Sequence, residues 1–414
     1  MPSSRASSLH HRARSAALWC ALVGLTLLAA PGCSESSGDD NAIPIGLFLS
    51  FSGELAADSV NSQRALLMAL ESANTAGGVG GRPLKVVARD SASDPTTVAR
   101  LAGELIDAGV ALVIGPDTVD LAQAARATLL DSTVILPSFA TTSVGARPPS
   151  WFLLGIPVGR IACELHAQLR ADGRRSPLLI INPREYPSAL GYQLTNLYGI
   201  PKYVIASDST PTESTLQPIV SAAADAFVLA ALPSSAVSLV YALAALGELG
   251  EPAHWYLAPT LHTPAFLAPI PRGLLDGARG VTQGTVAEEP DFRALFFQRW
   301  HDVPLDDAYA FYDAGAIAVL ALQRALAREG AIPTGTGLSK DILAVSRAAG
   351  TTVHWNELAR GLELLRQGEE IGYLGLTGSV AFDITGQTTA HLVKWWTIGG
   401  HDFVDGDTRS SCEP

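Results

Sequence analysis

The feature of this chain that most restricts its fold is a structural unit repeated between residues 43 and 142. Each unit has a short apolar strand, a turn rich in Gly, Ser, Asp and Pro, and then a stretch of helical pattern. The predicted strands are 43–49, 84–89, 111–114 and 133–136. Strands that alternate with helices predict a parallel sheet covered on both faces, because parallel strands need crossover connections and helices supply them.

A similar pattern restarts after residue 151 and predicts a second α/β lobe. Its strands are predicted at 178–181, 203–205, 226–230 and 255–257, and its helices at 158–171, 188–197, 216–224 and 235–249. Two further helices are predicted at 307–328 and 354–366. The runs 378–382 and 390–398 are strand-like and flank the turn Asp-Ile-Thr-Gly, so we expect them to pair as a hairpin.

The first 32 residues have the pattern of a secretory signal peptide. Arg5, Arg12 and Arg14 precede an apolar run at 16–30, which is too short to span a bilayer. We find no second apolar run long enough for a transmembrane helix. The sequence therefore predicts export from the cytoplasm.

Cys33 directly follows Ala-Pro-Gly, which resembles the signal of bacterial lipoproteins. In that class the cysteine is lipidated and becomes the mature N-terminus. Ordinary signal-peptidase cleavage near Ala30 is the alternative. Residues 33–41 then form a lipidated cysteine with an acidic tether, and the protein is expected on the periplasmic side of the cell envelope, anchored to a membrane by lipid.

The charge of the chain argues against a nucleic-acid partner. The formal net charge is −12, and removal of the three leader arginines leaves −15. Apart from Arg174-Arg175 no stretch is rich in Lys or Arg. Two cysteines, Cys163 and Cys412, remain after the leader and Cys33, so they can form a disulfide in an oxidising compartment or stay as free thiols.

Four stretches in a fixed order resemble a known family. They are Leu49-Ser-Phe-Ser-Gly53; the run from Asn74-Thr-Ala-Gly-Gly to Asp94-Pro95; Val113-Ile-Gly-Pro116 with Pro137-Ser-Phe-Ala-Thr141; and Gly375-Leu-Thr-Gly-Ser-Val-Ala-Phe-Asp383 with Gly386. From residue 43 to about residue 404 the chain resembles the type I periplasmic binding proteins of the branched-chain amino acid ABC transporter class, which includes the leucine/isoleucine/valine-binding proteins.

This resemblance implies an α/β fold of two Rossmann-like lobes with parallel sheets, joined by three crossovers. It implies lobe 1 at 42–157 and 284–345, lobe 2 at 158–283 and 346–405, and a C-terminal tail at 406–414. The ligand would stabilise a hinge-closed form because it contacts both lobes, and an ABC permease or a sensor protein would then bind that form. No bond is made or broken in this function, so no enzyme activity is expected.

The resemblance also places ligand-binding residues in the turns after strands three and four, where backbone amides and hydroxyls hold a carboxylate. The matching positions are Thr118, Val119, Ser138, Phe139, Ala140 and Thr141. Asp117 and Asp120 add negative charge there, or merely cap the following helix.

Further candidates come from the other turns of the cleft. Tyr186 lies where the family has an aromatic residue, although it could also be packing of the loop. Ser52, Asp58 and Ser234 match other ligand-side turns. Thr260 replaces the acidic residue that holds an α-ammonium group in amino-acid binders, and a neutral threonine supplies no countercharge.

Two ligand classes therefore stay open at this point. Glu185, Asp58 or His262 could restore the charge for an amino acid. A neutral or aromatic compound could instead contact Tyr186, Phe139, Trp255 or Tyr256, although these aromatic residues could equally belong to the core.

The sequence predicts no cofactor and no metal site. The glycine-rich run 77–81 precedes a strand instead of opening a helix, which argues against a phosphate loop. The histidines show no metal-ligand spacing, and no nucleophile elbow is present. A solute-binding protein is the leading hypothesis; a sensory or orphan binding lipoprotein with a protein partner and an enzyme of unknown chemistry are the alternatives.

Overall fold

The first sheet is built by the N-terminal α/β units of the computed structural model, which describes residues 41–53, 55–138, 148–204, 211–347, 349–389 and 392–412. Five parallel strands lie in the order β2-β1-β3-β4-β5. The elements are β1 (Ile43–Leu49), α1 (Ala56–Thr75), β2 (Leu84–Asp90), α2 (Pro95–Asp107), β3 (Val113–Ile114), α3 (Val119–Ala125), β4 (Val134–Leu136) and β5 (Trp151–Leu153). The four predicted strands are confirmed, and β5 was not predicted.

Both faces of this sheet are buried, as the pattern of its strands requires. Side chains alternate along a strand, so Leu47 and Leu49 of β1 enter one hydrophobic core while Phe48 enters the core on the opposite face. In β5, Phe152 joins the first core, whereas Trp151 joins the second. Strands buried on both faces read as continuous apolar runs, which is why they are recognisable in the sequence.

The second sheet has seven strands in the order β15-β14-β10-β9-β8-β6-β7. Its first part contains α4 (Val158–Ala171), β6 (Pro177–Ile181), α5 (Glu185–Tyr198), β7 (Lys202–Val204), α6 (Glu213–Val220), β8 (Ala226–Ala230), α7 (Pro233–Leu246), β9 (Trp255–Leu257), α8 (Pro264–Leu267) and β10 (Arg279–Gln283). These five strands run parallel, and the four strands predicted in this part are confirmed.

The remaining elements are four helices, a small third sheet and two strands that extend the second sheet. They are α9 (Glu289–Trp300), α10 (Asp306–Glu329), α11 (Ser339–Ser346), β11 (Thr351–His354), α12 (Leu358–Arg366), β12 (Ile371–Gly375), β13 (Gly378–Ser379), β14 (Leu392–Gly399) and β15 (Asp402–Ser410). Strands β11, β12 and β13 form a separate three-stranded sheet. Strands β14 and β15 add antiparallel to the edge of the second sheet, next to β10.

The segment from β11 to β13 packs with the first sheet. Val353, Leu362 and Tyr373 belong to the same hydrophobic core as β1, α1 and α10. This differs from the expected division, which gave residues 346–405 to lobe 2. The reason is the amphipathic helix α12, whose apolar face is buried against α10 and not against the second sheet.

Helix α10 is the central helix of the first lobe. It is long and apolar enough to cross a membrane by length and composition alone, but 89% of its apolar window is buried inside the protein. Gly315 lets α1 approach closely, because a Cβ there would lie 2.7 Å from Cδ1 of Leu66. These two helices therefore pack side by side, and both start at the same end of the lobe.

The chain passes between the two sheets three times: after β5, after β10 and before β14. The crossings are tied together by Gln387, whose side-chain amide donates to the carbonyl oxygens of Leu153 (3.3 Å) and Gly155 (3.2 Å). Thr388 donates its backbone N–H to Leu153 as well. The two-lobe α/β architecture with three crossovers is therefore confirmed.

The C-terminal segment differs from the predicted hairpin. The turn at Asp383 forms, with a bridge between Phe382 and Thr388, but β13 pairs with β12 while β14 pairs with β10 and β15. The hairpin is thus β14–β15, and a strand occupies most of the region expected as a tail. The reason is that β14 lies inside the second sheet, between β10 and β15, where it buries Val393, Trp396 and Ile398.

A disulfide fixes the end of this hairpin to helix α4. The sulfur atoms of Cys163 and Cys412 are 2.05 Å apart, so these two cysteines are bonded. The buried carboxylate of Glu164 accepts hydrogen bonds from the backbone N–H of Cys412 (2.7 Å) and the guanidinium of Arg409 (2.8 Å). The last strand is therefore held by covalent and charged contacts.

Candidate functional site

A cavity of about 230 Å³ lies at the ends of the parallel strands, with walls from both lobes. Ligands of open α/β sheets bind in this position, outside the carboxyl ends of the strands. The polar residues from the first lobe are Asp58, Ser59, Ser62, Ser93, Asp117, Thr118, Asp120, Asp306 and Asp307. Those from the second lobe are Arg184, Tyr186, Thr260, His262 and Thr263.

The turn after β3 brings Asp117 into the cavity. Gly115 in this turn has φ +95°, and a Cβ there would lie 2.2 Å from the carbonyl oxygen of Phe48. Only glycine fits such a position. The Asp117 carboxylate then accepts hydrogen bonds from the backbone N–H of Ser50 (2.8 Å) and from the hydroxyl of Ser59 (3.0 Å). Asp117 is therefore held by donors of its own lobe.

Asp306 connects the two lobes across the cleft. It opens α10 in the first lobe, and its Oδ2 lies 2.7 Å from Nδ1 of His262 and 2.6 Å from the donating hydroxyl of Thr282, both in the second lobe. Burial would raise the pKa of Asp306, but His262 and Lys394 attract its negative charge and keep this pKa below its usual value. The His262 ring in turn stacks on Trp396, with 4.8 Å between ring centroids.

Asp58 and Asp307 lie in the same cavity in a different electrostatic environment. Burial raises the pKa of Asp58 to about 6, although the Thr263 hydroxyl acts against this. Burial and repulsion from Asp58 raise the pKa of Asp307 to about 7, although the Ser138 hydroxyl acts against this. Among the described residues, no ion pair joins either carboxyl to a cationic side chain.

The second lobe contributes a mostly apolar wall. Tyr186, in the first turn of α5, is 8% exposed, and burial raises the pKa of its phenol. The hydroxyl of Thr260 donates to the carbonyl oxygen of Ala231 (2.8 Å), so it is used within its own lobe. Leu232 and Pro259 also line the cavity. Of the described residues that line the cavity, Arg184 is the only arginine or lysine, and it is exposed to solvent.

The structure places only some of the predicted ligand-binding residues at this cavity. Those that line it are Asp58, Thr118, Val119, Tyr186 and Thr260. Ser52, Ser138 and Ser234 are not among the lining residues; the backbone N–H of Ser52 donates to Asp90 (3.2 Å) on the surface. Phe139, Ala140 and Thr141 lie outside the described residues.

The structure bears on two alternatives that the sequence left open. Trp255 and Tyr256 belong to the core of the second lobe. The indole N–H of Trp255 donates a hydrogen bond to the carbonyl oxygen of Leu249 (2.9 Å), and the hydroxyl of Tyr256 donates one to Asp172 (2.5 Å). In addition to Asp58, Asp117 and Asp120, the cleft has negative charge from Asp306 and Asp307, which come from a helix far along the chain. In the sequence these two residues appear only as an acidic pair at the start of a long apolar helix. Acidic residues in that position usually just stabilise the first turn of the helix.

The sequence profile of the periplasmic binding protein family matches residues 42–362 of this chain. This match covers well over half of the sequence. The chain belongs to the periplasmic binding protein family. It is thus a type I periplasmic binding protein, and membership of this family implies a location outside the cytoplasm. The family consists of binding proteins and not of enzymes.

Solved structures share the fold at low sequence identity. The branched-chain amino acid transporter substrate-binding protein LivJ from Streptococcus pneumoniae, in complex with isoleucine, is 18% identical, with a TM-score of 0.72 over 89% of this chain and 99% of that one. The leucine-binding protein LivK from Thermotoga maritima is 14% identical, with a TM-score of 0.71 over 89% and 98%.

A solute-binding protein from R. palustris in complex with benzoate is also similar, with 17% identity and a TM-score of 0.70 over 89% of this chain and 97% of that one. No curated protein is similar to this chain in sequence. At such identities the likeness shows the fold alone, so the ligand must be inferred from the cavity itself.

Proposed function

We propose that this binding protein captures a small organic ligand in the cleft cavity and delivers it, by closure of its lobes, to an ABC transporter. The observation that supports this is the cavity itself, which has side chains from both lobes around one space of about 230 Å³. A ligand there contacts both lobes at once and so favours the closed form over the open one.

The size and walls of the cavity support a small metabolite. Its volume corresponds to roughly eight water molecules at ~30 Å³ each. Apolar residues such as Leu49, Leu232 and Phe311 alternate with a few charged groups. Such a mixture is typical of small-molecule sites, in which apolar area gives affinity and a few polar groups give orientation.

The same protein is proposed to be lipid-anchored through Cys33. This rests on the sequence around the leader, since residues 1–40 lie outside the described part of the chain. Intact mass of the membrane-extracted protein should show an acylated Cys33 as the first residue. Cys33→Ala should abolish acylation; cleavage near Ala30 with an unmodified Cys33 would contradict the anchor.

The test of solute capture combines thermal unfolding with small-angle scattering on the purified protein. A ligand present at about a hundred times its dissociation constant adds roughly 2.7 kcal/mol of stability. We expect a compound that raises the unfolding temperature also to lower the radius of gyration. Stabilisation without compaction would contradict closure, and a change in the ligand's mass after incubation would contradict the non-enzymatic role.

A further inference from the structure

We propose that the ligand of this cleft is an organic cation: an ammonium compound with a small apolar body and no carboxylate. This inference rests on the proposed function, because it names the ligand class for the same cavity. It goes against the pattern of the similar structures, whose isoleucine and benzoate ligands both carry a carboxylate.

The charge around the cavity is strongly negative. Among the residues that the structure describes, five aspartates line it, whereas Arg184 and His262 are the only basic side chains that do so. Arg184 is solvent-exposed, so water screens its charge. His262 is already paired with Asp306. The space between the lobes therefore lies in a negative potential, which attracts a cation and repels an anion.

Not all of these carboxylates need a ligand. Asp117 is satisfied by Ser50 and Ser59, and Asp306 by His262 and Thr282. Asp58 and Asp307 are different, since no ion pair joins either of them to a basic side chain of the described residues. Two neighbouring carboxylates in a partly buried site cost free energy unless a positive group lies between them.

An ammonium group is the natural complement of these two carboxylates. It carries up to three N–H donors and one positive charge, so it can donate to both Asp58 and Asp307. The apolar side chains of Leu49, Leu232 and Phe311 then leave room for a hydrocarbon body. No group of three or more His, Cys, Asp or Glu in the described residues is arranged to hold a metal ion, which favours an organic cation.

The expected carboxylate position argues in the same direction. In the described residues its cavity-lining part is the turn at Thr118, whose hydroxyl caps α3 and accepts from the backbone N–H of Leu121 (3.4 Å). Asp117 and Asp120 flank this threonine. A ligand carboxylate there would meet like charge on both sides, which opposes its binding.

The test uses four compounds with one hydrocarbon skeleton and titration calorimetry at pH 8. Isopentylamine carries only the ammonium group, 4-methylpentanoate only the carboxylate, leucine both, and isopentanol neither. Benzylamine and benzoate form a second matched pair for an aromatic body. We expect the amines to bind at least tenfold more tightly than the acid, alcohol and zwitterion of the same skeleton.

A variant and a matched control locate the effect. Asp307→Asn keeps the size of the side chain and should weaken amine binding at least tenfold. Asp107→Asn removes the same charge from an exposed position at the end of α2, outside the cavity, and should change the affinity less than twofold.

The outcomes separate the two proposals. If leucine or an acid binds and compacts the protein while the amines do not, the cation inference is overturned and solute capture stands. Amine binding that Asp307→Asn leaves unchanged also overturns the inference. If no compound of any class binds, both proposals fail for ligands of this size.

Discussion

Two aspartates of the same helix, Asp307 and Asp313, show how differently a protein can use a buried carboxyl group. Burial raises the pKa of Asp313 to about 6 and that of Asp307 to about 7. Asp313 accepts hydrogen bonds from the Tyr373 hydroxyl (2.8 Å), from the backbone N–H groups of Leu376 (2.8 Å) and Thr377 (2.9 Å), and from the Thr377 hydroxyl (2.7 Å). Asp307 faces a cavity and other negative charges.

The two differ in their donors and also in burial, since Asp313 is fully buried whereas Asp307 is partly exposed to the cavity. Asp313 joins α10 to the turn before β13 and leaves no space beside it, since a Cβ on Gly375 would lie 2.4 Å from its Oδ2. The hydrogen-bond donors that Asp313 needs are therefore all supplied by the protein itself. Asp307 is one helical turn and a half nearer the helix start, where the lobe ends and the cleft begins. A carboxylate such as Asp307, for which the described residues of the protein supply no positive partner, is a candidate for contact with a ligand.

The largest expected effect comes from Asp313→Ala. It would leave four donors without their acceptor, and we expect a loss of about 3–5 kcal/mol in the free energy of unfolding. Urea unfolding followed by circular dichroism measures this. Asp313→Asn keeps one carbonyl oxygen and should lose less. A loss below about 1 kcal/mol for Asp313→Ala would show that Asp313 is not the structural member of the pair.

The next effect is the pH dependence of amine affinity. The charged groups facing the ligand are Asp58 from α1, Asp117 and Asp120 around the β3 turn, Asp306 and Asp307 from α10, and Arg184, Tyr186 and His262 from the second lobe. Because the pKa of Asp58 is about 6 and that of Asp307 about 7, both lose their protons between pH 5.5 and 8. Isopentylamine affinity should rise about tenfold or more over this range.

Calorimetry in buffers of different ionisation enthalpy would also detect the protons released on binding. In Asp307→Asn the rise in affinity should become smaller, because only Asp58 still titrates in this range. An affinity that is constant with pH would show that Asp58 and Asp307 do not take part in amine binding.

A smaller effect is expected on the stability of the ligand-free protein. Folding raises the pKa of Asp307, so its stabilising contribution is present below pH 4 and is lost as the pH rises through 7. At pH 8, Asp307→Asn should therefore stabilise the protein by about 1 kcal/mol, with part of the gain offset by the helix N-terminus that favours the charge. At pH 5 the gain should be much smaller. A destabilised variant at pH 8 would mean that Asp307 is structural like Asp313.

The smallest effect is expected for an aspartate outside both environments. Asp302 is 48% exposed and pairs with Arg64 at 2.6 Å. Surface ion pairs contribute ~0–1 kcal/mol, so Asp302→Asn should change the free energy of unfolding by less than about 1 kcal/mol. Thermal unfolding at low and high salt measures this; a loss as large as that of Asp313→Ala would break the distinction between exposed and buried carboxylates.

Most of the fold could be predicted from the sequence because its signals are local. The apolar runs of β1, β6 and β8 are short, continuous and bounded by turn residues, so their positions follow from the chain itself. Five strands were missed: β5, β10, β11, β12 and β15. Strands of this kind depend on pairing with distant partners, as β5 does with β4 and β12 with β11.

The candidate site was predicted in part. Asp58, Thr118, Val119, Tyr186 and Thr260 follow predicted strands or lie near them, and all of them line the cavity. Asp306 and Asp307 could not be found in this way, since they come from a helix start that only the packing of α10 beside α1 brings to the cleft.

The sequence by itself determined the two α/β lobes, because alternating strands and helices leave few other ways to bury apolar faces. The tertiary structure decided the rest. It decided that β14 pairs with β10 and β15, that α12 packs on the first lobe, and that the cleft is acidic. The physical reason is that patterns of hydrophobicity act over a few residues, whereas the charge of a cavity sums side chains that meet only after folding.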